Sequence, residues 1–61
     1  MLTASDDLNR TLLEANAMRA CWMLEAQRAM ELSDGGREVA CEYQLCLIDG
    51  LIALIRRELL R

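Results

Sequence analysis

The chain has no histidine, proline, phenylalanine or lysine, and each gap removes a class of answer. Without histidine there is no commonest general base and no neutral imidazole ligand for a metal. Without proline nothing forces a kink or a break, and only three glycines, Gly35, Gly36 and Gly50, punctuate the backbone. Trp22 and Tyr43 are the only rings. The seven cations are all arginine, outnumbered by ten acids for a net charge of −3. That balance argues against nucleic acid as the main partner, because phosphate binding rests on clustered cations that release counterions.

A fully pairable set of cysteines is missing too. Cys21, Cys41 and Cys46 form no even disulfide set. On a helix, Cys41 and Cys46 point about 140° apart and have no zinc-ligand spacing. A Cys21–Cys41 bridge is conceivable, but the expectation is buried, reduced thiols acting as small hydrophobes in a reducing cytosol. Met1-Leu-Thr-Ala-Ser-Asp-Asp is not the basic-then-apolar run of a secretory leader, so a cytoplasmic location is expected. The longest apolar stretch, Leu45 to Ile55, is interrupted by Asp49 and Gly50 and is too short to span a bilayer. Leu51 to Arg61 has the basic and apolar character of a membrane-surface helix, but the acids upstream favour a bundle.

What remains is helix-forming apolar mass. Of 61 residues, 54% are hydrophobic, mostly Leu, Ala, Ile, Met and Cys, which is high for a chain this short. The pattern predicts an all-α, antiparallel two-helix hairpin occupying residues 1–61 as a single domain. A first helix over about 5–32 starts near Ser5 or Asp6, whose side chains suit the exposed N–H groups of a first turn. Ser33-Asp34-Gly35-Gly36 supplies the turn, with a glycine in the left-handed conformation closing the helix. A second helix over about 37–60 begins near Glu38 and ends among Arg56, Arg57 and Arg61, which suit its negative end.

Stepping residues at 100° sorts the faces. Leu8, Leu12, Ala15, Met18, Trp22, Ala26, Ala29 and Met30 share one face of the first helix, with Arg19 at its edge. Leu13, Ala17, Ala20 and Leu24 form a second stripe. Arg10, Glu14, Glu25 and Arg28 make a solvated edge. On the second helix Glu38, Glu42, Asp49 and Arg56 occupy a strip only about 40° wide. Nearly all else there is apolar, which is too much for one neighbour. Homodimerisation into a four-helix bundle is the simplest closure, twofold symmetry being the commonest. Leu12, Ala15, Trp22, Ala26, Ile48, Leu51, Ile52 and Ile55 are the expected core and dimer interface. Gly50, costly inside a helix, is expected to mark a close helix crossing. Tyr43, Glu42, Asp49 and Arg19 are the candidate partner contacts, being the ring and charges at the margins of the apolar arcs. Gln44, like Arg19, interrupts an apolar face, a placement that often sets register.

No nucleophile–base pair, phosphate loop or dinucleotide fingerprint is present, so neither catalysis nor a cofactor is expected. Glu38 and Glu42 share a face but lack the histidine that carboxylate-bundle metal sites use, so a solvated acidic strip is the expectation, with no metal.

In size, in its Leu32-to-Arg37 turn and in its two apolar helices, the chain resembles the short helical-hairpin accessory proteins of GC-rich bacteria and their temperate phages. It is also similar in layout to the Rop-type hairpins, which dimerise into four-helix bundles. The first resemblance implies a small non-catalytic regulator, an adaptor, inhibitor or anti-activator, that masks or bridges another protein as a homodimer. The second implies RNA binding, against which stand the scattered arginines and the lack of stacking rings beside them. A third expectation is an obligate subunit whose apolar face another chain covers.

Overall fold

The computed structural model describes residues 3–61, and these form two helices, α1 (Ala4–Glu31) and α2 (Gly35–Leu59). They lie side by side as a hairpin extending 47 × 18 × 11 Å, one helix thick. Nothing among the described residues covers either broad side of this single layer.

α1 starts one residue earlier than expected, because its cap is neither Ser5 nor Asp6 but Thr3. Thr3 is extended (φ −88°, ψ 169°) and its hydroxyl accepts from the Asp6 backbone N–H, while the Asp6 carboxylate accepts from the Thr3 N–H at 3.0 Å. This reciprocal box satisfies two of the donors that a helix start leaves open.

The turn is shorter than the predicted residues 33–36, and glycine does not make it. Ser33 takes the left-handed conformation at φ 54°, whereas no glycine has positive φ. The Asp34 N–H reaches back to the Ala29 carbonyl at 2.8 Å and the Ser33 N–H to Met30 at 3.1 Å. That pair of bonds is the Schellman closure, with serine where glycine is usual. Asp34 then serves the next helix: its carboxylate accepts from the Arg37 N–H at 3.1 Å, so α2 begins at Gly35 rather than at residue 37. Gly35 and Gly36 are absorbed into that first turn. A connection of three residues leaves the helices only the antiparallel arrangement, and the Arg37–Glu25 ion pair at 2.7 Å ties them just beyond it.

The helices meet along a seam of alternating three- and four-residue spacing. On α1 it runs Leu8, Leu12, Ala15, Arg19, Trp22, Ala26 and Ala29; on α2 it runs Cys41, Leu45, Ile48, Ile52, Ile55 and Leu59, all buried or half-buried. This is the heptad repeat of left-handed coiled-coil packing. Ala15, Ile48 and Ile52 form its centre, with Leu12 and Trp22 packed against them. Small residues face large ones here, so the backbones approach while the branched isoleucines fill the space between. Nearer the turn the buried residues are Ala29 and Cys41, both small, as the short connection demands. Of the three free thiols only Cys41 is a buried small hydrophobe; Cys21 and Cys46 are exposed, contrary to expectation, because both lie off the seam.

Two measurements follow from the turn and the caps. Ser33→Gly removes the left-handed penalty of a side chain and is expected to stabilise the hairpin by about 1 kcal/mol in urea or thermal unfolding. Folding lowers the carboxyl pKa of Asp6, chiefly through the Thr3 backbone N–H and then its hydroxyl, and that of Glu25, chiefly through the Arg37 hydrogen bond. Their stabilisation is therefore complete above the ordinary values of 3.8 and 4.5 and is lost as pH falls through the lowered ones. Unfolding followed by circular dichroism from pH 7 to pH 2 should show an acid limb that Glu25→Gln flattens.

Candidate interaction surface

A two-stranded seam occupies roughly a third of each helix's circumference, so the rest of both helices faces outward. On α2 the side opposite the seam is not polar. Val39, Cys46 and Gly50 lie within about 20° of the direction opposite Ile48, flanked by Tyr43, Leu47 and Leu54. Val39, Tyr43, Leu47 and Leu54 are 53 to 65% exposed. From Tyr43 to Ile55 the only charged residue is Asp49, which sits to one side of this face.

Asp49 is held by Arg19. The Arg19 Nε donates to Asp49 Oδ1 at 2.6 Å, and its Nη1 lies 3.1 Å from the Met23 sulfur. Arg19 occupies a heptad position inside the seam, so its stem crosses apolar ground and its guanidinium emerges at the edge. The pair ties the helices at mid-length, with side chains 41% and 53% exposed.

Gly50 marks no crossing within the hairpin. A Cβ built there meets nothing within 4 Å, because the residue faces away from α1.

α1 carries its own outward apolar surface. Leu13 and Leu24, 72% and 67% exposed, lie on one stripe with Ala17 and Ala20. Beside it Met23, Met30 and Ala26 form with Leu45 a shallow groove of about 600 Å³. Methionine suits such a place, since its unbranched thioether adapts to varied partners.

The candidate residues therefore divide. Ala15, Ile48, Ile52 and Ile55 are buried by the hairpin itself, and Leu12, Trp22 and Ala26 are half-buried along the same seam. Leu51 is 42% exposed at its border. Of the candidate partner contacts, Arg19 and Asp49 bind each other, Tyr43 stands on the outer face of α2, and Glu42 is exposed beside it. Val39, Leu47 and Leu54, part of the apolar circumference of α2 that calls for a second neighbour, are outward residues not singled out as candidate contacts. The heptad would have found them: once the seam of α2 is read at Cys41, Leu45, Ile48, Ile52 and Ile55, these three must lie outside it.

Among the described residues no three His, Cys, Asp or Glu side chains gather where an ion would be held, and no helix is long and apolar enough to cross a membrane. No protein-family model, curated protein or solved structure matches the chain.

Because it is exposed, the Arg19–Asp49 pair should be worth little to stability. A double-mutant cycle with Arg19→Ala and Asp49→Ala is expected to give a coupling of at most about 1 kcal/mol in low salt, shrinking in 1 M salt.

Proposed function

We propose that this chain is a small, non-catalytic protein-binding regulator that works as a homodimer, masking or bridging a surface on another protein. The carrying observation is that the one-layer hairpin leaves two long apolar faces open, one on each helix. Contiguous apolar patches beyond a few hundred Å² are uncommon on free monomers and mark interaction sites. Two such faces, pointing in different directions, suit two different neighbours. One is a second copy, completing a four-helix assembly. The other is the regulated protein, as an adaptor, inhibitor or anti-activator requires.

The stripe of Leu13, Ala17, Ala20 and Leu24, with the adjoining methionine groove, is the surface we assign to the regulated protein. An amphipathic helix laid along it would meet apolar anchors at helical spacing. The three unpaired thiols support a reducing, cytoplasmic setting.

Sedimentation equilibrium should find a particle of twice the 6.9 kDa chain mass at micromolar concentration. Affinity capture from the native host, quantified by mass spectrometry, should recover a defined protein that Leu24→Glu loses while the dimer persists. A monomer at every concentration, with the same proteins captured by the wild type and by Leu24→Glu, would overturn the reading.

A further inference from the structure

Resting on the dimer reading, we infer that the second copy docks on the outer face of α2, antiparallel, about a twofold axis level with Ile48. Two features of this face choose a copy of itself as the occupant and choose the direction.

The first is charge. α2 is net acidic at its start, where Arg37 is paired with Glu25 of α1 and Glu38 and Glu42 remain, and net basic at its end, where Arg56, Arg57 and Arg61 outnumber Glu58. Between Tyr43 and Ile55 the one charge is Asp49, on the same margin as Glu38 and Glu42 and already paired with Arg19. Parallel docking of two copies would set acid on acid and arginine on arginine. Antiparallel docking sets each acidic start against the other basic end, and the helix dipoles then oppose favourably as well. With the axis level with Ile48, Arg57 of one copy falls level with Val39 of the other, between Glu38 and Glu42.

The second is shape. In the same register Cys46 lies opposite Gly50, and Tyr43 opposite Ala53. Leu47 falls level with Asp49 of the copy, one residue from the axis, and about 3 Å along the helices from its own counterpart. Tyr43 thus faces a small residue, and the small Cys46–Gly50 pair near the axis lets the backbones approach closely. Gly50, unexplained by the hairpin because a Cβ there would touch nothing, is accounted for by the copy. A face that matches itself in this way is isologous, as a twofold dimer requires.

The proposal is tested on the full chain by dimer affinity and by thiol footprinting. Cys46 lies within the proposed contact and Cys21 on α1 lies outside it, and both are exposed in the hairpin. Alkylation followed by peptide mass spectrometry should show Cys46 slowing about 10-fold between dilute monomer and concentrated dimer, with Cys21 unchanged. Leu47→Glu sets two like charges beside the axis and should raise the dimer Kd by roughly 100-fold or more, with helicity retained because Leu47 lies off the seam. Arg57→Glu should weaken the dimer and Glu42→Arg should do likewise, while the two together restore it. Only antiparallel pairing predicts that rescue. A dimer that tolerates Leu47→Glu, leaves Cys46 reactive or fails to be rescued overturns this interface while the dimer reading stands. A wild-type chain that never dimerises overturns both.

Discussion

The seam between the two helices governs everything else in this molecule. It is a heptad contact, with α1 presenting Leu12, Ala15, Trp22 and Ala26 and α2 presenting Cys41, Leu45, Ile48, Ile52 and Ile55. A contact of this kind uses a narrow stripe of each helix. It is sufficient to hold a hairpin together, and it commits the isoleucines of α2 to that task. Because the layer is one helix thick, every described apolar residue off the stripe is left facing water. The outward surface is thus a direct consequence of how economical the seam is.

The turn sets the register in which the seam closes. Asp34 ends one helix and starts the next: its N–H completes the Schellman closure on Ala29 and its carboxylate caps Arg37. With one residue in both roles the connection has no slack, and the two heptads can meet in one phase only. The Glu25–Arg37 and Arg19–Asp49 pairs mark that phase at the turn and at mid-length. As exposed pairs they add little stability. Their effect is orientation, since Arg19 can reach Asp49 only if the acidic strip of α2 turns to the side of the hairpin where Met23 lies.

That rotation gives α2 three distinct sides: an isoleucine seam, an acidic margin at Glu42 and Asp49, and an outward face of Val39, Tyr43, Leu47, Gly50 and Leu54. Along the helix the start is net acidic and the end net basic, Arg37 and Glu58 being the exceptions. The outward face is therefore apolar in the middle, with Arg57 at one tip and the acidic margin alongside the other. Proline-free helices of this length keep such a pattern straight over several turns. The outer stripe of α1 is more mixed, with its methionines beside Gln27.

The amino-acid sequence by itself determined the helical class, the position of the turn to within about two residues, and the excess of apolar circumference. These depend on local properties, namely helix propensity, a cap-and-turn cluster at Ser33-Asp34 and the absence of proline. Only the tertiary structure decided which apolar arc of α2 is inside. The sequence places Ile48, Ile52 and Ile55 among the core positions but leaves Val39, Leu47 and Leu54 in the same broad apolar circumference, because apolar residues on nearly every side do not say which part of the arc meets α1. The choice of Ser33 over Gly35 for the left-handed position was likewise tertiary. Glycine is locally the cheaper residue in that conformation, yet the turn that joins the interlocked heptads places Ser33 there. Cys41 is buried and Cys46 exposed for the same reason: one lies on the heptad and the other does not.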